Sequence, residues 1–342
     1  TTMRWSNRFL STVLDVAKCQ NVRQCSSSAT FALASRKRSN TAVKTRRLKL
    51  FEEEKERQRR RVTDVEKIQV QYSDQPEHCT LIMNKMMSTP YDCARHVSQW
   101  VGDRAVLAEV DGKLWDMHRP LEGDVEALKF LHFRESDPFY VNRAFWRSCS
   151  IMLGSVLESA FKDRFYLQLC SFPAPNVRTG SFIYDVDLGM DWQPTKDELR
   201  VLSSEMVRLS MRQLPFERLV VPMVVALDMF SDNMYKSSQI PSIADAEKSD
   251  SITLYRVGEF VDVSCGPLIA NTRQLGRVTI TACYPIPIGE ASGKPPLLRI
   301  QGVALPEGIL MNHYSYSILE TRARKMNEGR LPDPLQMQGE AQ

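Results

Sequence analysis

The sequence has few of the residues and patterns that most often carry catalysis or metal binding. Its five histidines are isolated from one another, and its eight cysteines include no Cys-x-x-Cys pair, which excludes the common structural zinc sites. It contains neither a Walker-type loop nor a Gly-x-Gly-x-x-Gly motif, so it predicts no phosphate-binding loop. We therefore expect no metal site and no cofactor.

Long hydrophobic runs are also missing. The longest apolar stretch, around residues 219–227, is interrupted by Pro222, whereas a membrane helix needs about 18 apolar residues. A chain of 342 residues is too large to need disulfides, so we expect free thiols in a reducing compartment. With 43% hydrophobic residues, the chain can form the cores of two domains. The composition thus predicts a soluble globular protein without a membrane span.

Positive charge is concentrated at the N-terminus. Residues 1–50 carry many Lys and Arg but a single acid, Asp15. Within them, residues 1–40 are rich in Arg, Ser, Thr and Ala, a composition typical of mitochondrial transit peptides. Two alternatives stay open: a disordered basic tail, or an arm that remains on the mature protein and lies along RNA phosphates.

Residues 41–64 are almost solidly charged. Acids at 52–54 precede a run of bases, an order that favours a helix because it complements the helix dipole. The few apolar residues lead us to expect that this helix buries no face in the protein's own core. It is then either a solvated linker or a helix that contacts RNA or a neighbouring protein. The candidate RNA-binding cations are Arg46, Arg47, Lys49, Lys55, Arg57, Arg59, Arg60 and Arg61.

Residues 65–134 show the pattern of a small β-grasp, ubiquitin-like domain. Short apolar runs at residues 68–72, 80–83 and 106–110 predict strands, and Asp111-Gly112 predicts a hairpin turn. Thr89 followed by Pro90 predicts a helix start, and we expect that helix to run to about Trp100.

Residues 135–330 predict a second, α+β domain, followed by a C-terminal tail at 331–342. Apolar residues recur at helical spacing from Pro138 to about Ala160. Thr195 and Glu198 form a capping box before a further helix. We expect a polar loop over residues 237–251, then strands around 254–263 and 278–282.

Several motifs resemble threonyl-tRNA synthetases. STPYD at residues 88–92, VDGKLWD at 110–116 and RPLEGD at 119–124 are similar to the TGS domain of that family. FWRSCSIMLG at 145–154 and DVSCGPL at 262–268 resemble its editing domain. The resemblance covers about residues 65–330. It implies a TGS domain followed by an editing-like α+β domain, without the aminoacylation core.

The resemblance also implies that the editing pocket has lost its ligands. The family's two helical histidines correspond to Arg147 and Ile151, its cysteine to Ser264 and its last histidine to Leu268. Arginine is always cationic, and isoleucine and leucine have no lone pair. A serine hydroxyl is a poor metal ligand compared with a thiolate. We therefore expect no catalytic residue, no metal and no enzymatic activity.

Two further pocket positions are retained. Lys236 and Asp262 match residues that assist the editing reaction in the family. Without a metal or a histidine to orient water, general acid-base assistance has no reaction to act on. They remain as a structural ion pair or as surface residues.

The replacements resemble those of a family of mitochondrial large-subunit ribosomal proteins. This implies a structural constituent of that subunit in the mitochondrial matrix, which binds large-subunit rRNA and neighbouring ribosomal proteins and forms no homo-oligomer. Alternatives are a freestanding hydrolase that clears serine from tRNA and a non-catalytic tRNA-binding regulator.

Overall fold

A computed structural model describes residues 39–74, 78–163, 165–174, 180–190, 192–286 and 296–329. The tail at 331–342 and all but the last two residues of the transit-like arm lie outside them. In the part of the chain that is described, no helix is long and apolar enough to cross a bilayer.

The charged segment forms helix α1, Asn40–Arg60, which Ser39 caps through a hydrogen bond from the amide of Ala42. Contrary to the sequence prediction, this helix buries a face of Val43, Arg47, Phe51 and Glu54. Phe51 is fully buried in a core with Leu219 and other apolar residues. The prediction was wrong because a few apolar residues, Val43, Leu48, Leu50 and Phe51, together with the stems of long charged residues, suffice to dock a helix.

The β-grasp domain follows. Its elements are β1 (Lys67–Tyr72), β2 (Cys79–Asn84), α2 (Pro90–Val97), α3 (Gln99–Arg104), β3 (Leu107–Val110), β4 (Lys113–Trp115) and β5 (Val125–Leu131). The strands form one sheet in the order β2-β1-β5-β3-β4, in which β1 and β5 are parallel. The helix predicted to reach Trp100 ends at Val97, because Ser98 is extended and caps α3 instead.

The second domain combines two antiparallel sheets with five helices in its described residues. Its elements are α4 (Phe139–Ala160), β6 (Gln168–Ser171), β7 (Phe182–Asp187), α5 (Lys196–Met211), β8 (Glu217–Pro222), α6 (Met223–Met229), α7 (Met234–Glu247), β9 (Ser251–Val257), β10 (Phe260–Val263), β11 (Leu275–Ile286), β12 (Leu297–Pro306) and α8 (His313–Ala323). The sheet orders are β11-β12-β7-β6 and β10-β9-β8. The chain is therefore a mixed α+β protein.

Helix α4 packs between the two sheets. At Gly154 an added Cβ would lie 2.7 Å from a ring carbon of Tyr184 on β7 and 3.0 Å from one of Phe260 on β10. Glycine at this position lets the helix approach both sheets at once. Residues of α4 and of both sheets share one apolar core.

The prediction of a polar loop at residues 237–251 is wrong. Most of that segment belongs to α7, whose first amides at Tyr235 and Lys236 donate to the side chain of Asn233. Ile240 and Ala244 are buried at helical spacing among otherwise polar residues. A narrow apolar stripe of this kind is enough to hold a helix that composition alone assigns to a loop.

Candidate functional site

The six pocket positions named from the sequence are all buried. Arg147 and Ile151 lie on α4, Lys236 lies on α7, and Asp262 lies on β10. Ser264 and Leu268 lie in the segment after β10, residues 264–270, which we call the pocket loop. Buried side chains at these positions leave little room for a substrate. The hydrogen bonds, ion pairs and packing contacts of each side chain indicate its role.

Arg147 holds the pocket loop against α4. Its guanidinium Nη1 donates to the carbonyl oxygen of Gly266 and, at 3.3 Å, to that of Pro267. The side chain is 6% exposed. A buried cation paired with backbone carbonyls acts as a structural clamp, and guanidinium carries no lone pair for a metal.

The other three replaced positions, Ile151, Leu268 and Ser264, have structural contacts with their neighbours. Ile151 and Leu268 belong to the apolar core around α4. The hydroxyl of Ser264 accepts a 3.3 Å hydrogen bond from the amide of Gly266 within the pocket loop. In the described ranges, no group of three or more His, Cys, Asp or Glu side chains is placed to hold a metal ion.

Lys236 and Asp262 are in direct contact. Lys236 Nζ lies 2.6 Å from Asp262 Oδ1, and both side chains are almost fully buried. Tyr184 donates to Asp262 Oδ2 at 2.5 Å and accepts from Lys236 Nζ at 3.2 Å. Burial and the charge of Asp262 raise the pKa of Tyr184 well above its ordinary value, so its hydroxyl remains a donor. The three side chains form a closed ion-pair network.

A second buried ion pair lies nearby, and sequence analysis missed it. Arg47 Nη1 donates to Glu158 Oε1 at 2.8 Å and lies 3.5 Å from the carbonyl oxygen of Val261. Burial lowers the pKa of Arg47, but the charge and hydrogen bond of Glu158 outweigh it and raise the pKa overall. Arg47 therefore joins α1 to α4, and its burial removes it from the candidate RNA-binding cations.

The remaining candidate RNA-binding cations, which lie in α1 or directly after it, are of two kinds. The paired ones are Arg46 with Asp228 and Asp232, Lys49 with Glu53, Lys55 with Glu217, Arg57 with Glu54, and Arg60 with Glu56. Arg59 and Arg61 are exposed and take part in none of the ion pairs between described residues. These two keep the most charge available for a polyanion.

The pocket loop is also fastened to the β-grasp domain through Asp116. This buried carboxylate accepts hydrogen bonds of 2.9 Å from the Tyr255 hydroxyl and the Leu268 amide, and Arg218 Nε lies 3.7 Å away. Burial raises the pKa of Asp116 despite these partners. In addition, His118 Nε2 lies 3.0 Å from the carbonyl oxygen of Ala270. The loop that would carry catalytic ligands therefore acts as a contact between two domains.

Gly266 provides a test of this fastening. Its φ is +60°, and an added Cβ would overlap the hydroxyl of Tyr255. We expect Gly266→Ala to lower the free energy of unfolding by about 2–3 kcal/mol, from the left-handed backbone and the displaced tyrosine. Gly112→Ala is the matched control, since Gly112 has φ +75° and nothing within 4 Å of an added Cβ. Urea denaturation that gave equal losses would contradict the steric contact.

Comparisons with known proteins give a domain match and a relative that is similar along almost its whole length. A family model described as the TGS domain matches residues 74–126. The large ribosomal subunit protein mL39 of Drosophila melanogaster is 44% identical over 306 residues, which cover 89% of this chain and 91% of that protein.

Threonine-tRNA ligases are also similar. The probable cytoplasmic ligase 1 of Dictyostelium discoideum is 31% identical over 244 residues, 70% of this chain and 32% of the ligase. The cytoplasmic ligase 2 of Bos taurus is 32% identical over 240 residues, 69% of this chain and 31% of the ligase. The chain thus spans about a third of the ligases it matches, but nearly the whole of the ribosomal relative. It belongs to the family of the mitochondrial large ribosomal subunit protein mL39, which is related to threonine-tRNA ligases.

Proposed function

We propose that this protein is a non-catalytic structural constituent of the large subunit of the mitochondrial ribosome, where it binds rRNA and neighbouring ribosomal proteins. The observation that carries the proposal is the 44% identity to mL39 over 91% of that protein. The similarity extends along almost the whole of both chains and is therefore not confined to the TGS match at residues 74–126.

We further assign residues 65–134 to a TGS-like β-grasp domain and residues 135–330 to a degenerate editing-like domain. The assignment is supported by the ligase similarities, which extend over 240 and 244 residues and so reach well beyond the TGS match at residues 74–126. Residues 41–64 join the second domain's core through α1 and form an integral part of the fold.

The contacts of the pocket side chains support a non-catalytic role. Arg147 is committed to backbone carbonyls, and Ile151 and Leu268 fill apolar core. Lys236 and Asp262 neutralise each other at 2.6 Å. General acid-base chemistry needs a group that reaches a water or a substrate, whereas Lys236 and Asp262 contact each other. Deacylation of seryl-tRNA by the purified protein would contradict the proposal and favour a trans-editing hydrolase.

Contact with rRNA is expected where α1 ends. Arg59 and Arg61 are exposed cations close in sequence, and phosphate contacts by such groups add affinity that falls with salt. We expect Arg59→Gln with Arg61→Gln to reduce the log-log salt slope of attachment to large subunits by about 1–2. Protein retained on isolated subunits through a KCl series measures this slope.

The matched control replaces two exposed arginines of α5 that already have acidic partners. Arg200 pairs with Asp197 at 2.9 Å, and Arg208 pairs with Glu205. Arg200→Gln with Arg208→Gln removes the same formal charge, and we expect the slope to stay unchanged. Equal effects of the two double variants would show that only net charge matters. They would contradict a specific contact between rRNA and the end of α1.

A further inference from the structure

Helix α8 carries an apolar stripe on its outer face. Leu310 is 97% exposed, Tyr314 76% and Ile318 52%. They are spaced four residues apart, with Leu310 in the segment just before the helix and the other two within it. Tyr314 and Ile318, four residues apart within the helix, share one helix face, and Leu310 precedes them in the chain. We call these three residues the α8 stripe.

The helix that bears the stripe is firmly held by its other face. Tyr316 and Ala323 are fully buried beside Val303 on β12. The hydroxyl of Thr281 donates to the carbonyl oxygen of Ala323 at 2.8 Å, and the Asn312 side chain caps the first turn. Because these contacts fix the rotation of α8, Tyr314 and Ile318 cannot turn inward to escape water.

Single exposed apolar residues are common on protein surfaces. Two large ones on one face of a fixed helix, with Leu310 exposed just before it, form the kind of apolar surface against which a second helix packs. Tyr314 offers a ring and a hydroxyl, but Leu310 and Ile318 offer an RNA neither a ring for base stacking nor a hydrogen bond, the two contacts through which proteins hold unpaired bases. The two aliphatic members of the stripe therefore favour a protein as the partner.

Two cations near the stripe indicate the charge of the partner protein. Arg324 and Lys325 follow the stripe at the C-terminal end of α8, and both are exposed. Neither takes part in the ion pairs that the structure describes. An occupant that covered the stripe with its own apolar face would meet these two cations at one end, where acidic side chains would complement them.

We propose that the α8 stripe docks an amphipathic segment of a neighbouring protein of the large subunit, with apolar residues at helical spacing and acidic residues facing Arg324 and Lys325. This inference rests on the proposed function, since it names a partner class within the ribosomal subunit. Met311, 37% exposed beside Leu310, would extend the contact.

The test places a photo-crosslinking phenylalanine analogue at Tyr314 or Ile318 of the full chain in mitochondria. Control positions are Met211 and Val224, each 73% exposed on other helices. Large subunits are isolated by sedimentation before and after irradiation, and the adducts are sequenced. We expect at least tenfold more adduct at 314 and 318 than at the controls, joined to a net acidic protein segment with apolar residues three or four apart.

Three results would overturn the inference: adducts to rRNA, adducts to a basic or wholly polar segment, or no adduct although the protein sediments with the subunit. If the protein failed to sediment with the subunit at all, the proposed function itself would fall. The two failures are thus distinguishable.

A second variant gives an independent measurement. Leu310→Ser with Ile318→Ser changes only exposed side chains, so we expect an unchanged melting temperature and a retention on subunits several-fold lower in high salt. Met211→Ser with Val224→Ser is the matched control. High salt screens charge but strengthens apolar contacts, so retention equal to that of the control would contradict an apolar dock.

Discussion

Replacing Arg299 by methionine is expected to lower the free energy of unfolding by about 3–5 kcal/mol. Arg299 has no exposed surface, and its guanidinium binds both oxygens of Asp185, at 2.8 and 2.7 Å. It also donates to the carbonyl oxygens of Asn327 at 2.6 Å and Gly329 at 2.9 Å. Methionine would leave a buried carboxylate without its cation and two carbonyl groups without a donor.

Two further variants separate charge from geometry. Arg299→Lys keeps the charge but not the two-pronged contact, so we expect an intermediate loss. Arg299→Met combined with Asp185→Leu removes both charges from adjacent strands that pair at this register, and should recover part of the stability. Urea denaturation of the full chain measures all three. A loss below about 1 kcal/mol for Arg299→Met would show that the pair is not a main support of the second domain.

Replacing Lys236 by methionine is expected to cost a similar amount, about 3–5 kcal/mol. Asp262 would keep its hydrogen bonds from the Tyr184 hydroxyl and the Val263 amide. It would lose the ammonium 2.6 Å away in a site where neither side chain is more than 4% exposed. The loss follows from an unpaired buried charge.

The double variant Lys236→Met with Asp262→Asn distinguishes a structural pair from a functional one. The asparagine oxygen can still accept from the Val263 amide, and its NH2 group can donate to the Tyr184 hydroxyl oxygen, so we expect most of the stability to return, together with normal incorporation into the large subunit. Arg200→Met is the exposed control, since the Arg200 and Asp197 side chains are each 79% exposed, and should cost less than about 1 kcal/mol. A stable double variant that failed to incorporate would assign the pair a role beyond folding.

Local features of the fold were predictable from the sequence. The capping box at Thr195 and the helix start at Thr89 are present as predicted, and Asp111 and Gly112 adopt positive φ in the turn between β3 and β4. The helix from Pro138 to Ala160 is confirmed. In each case the signal lies within a few residues, where side-chain chemistry and backbone conformation are directly linked.

Contacts between distant segments were not predictable in the same way. Arg47 and Glu158 are 111 residues apart, and Asp116 and Tyr255 are 139 apart. The sequence alone does not indicate whether a charged side chain contacts water, a phosphate or a buried acid. For this reason α1 was predicted to lie outside the core, and the role of Asp116 in fixing the pocket loop was missed. The editing-domain resemblance placed Lys236 and Asp262 in one pocket but left open whether they form a structural ion pair or lie at the surface, and the structure shows the buried pair.

The central claim, that this chain is a structural part of the mitochondrial large ribosomal subunit, is tested most directly by sedimentation of the tagged protein from mitochondrial lysate with and without RNase. We expect it to migrate with the large subunit and to leave that fraction when the RNA is digested. A slowly sedimenting peak that RNase does not change would contradict the claim and indicate a freestanding enzyme or regulator.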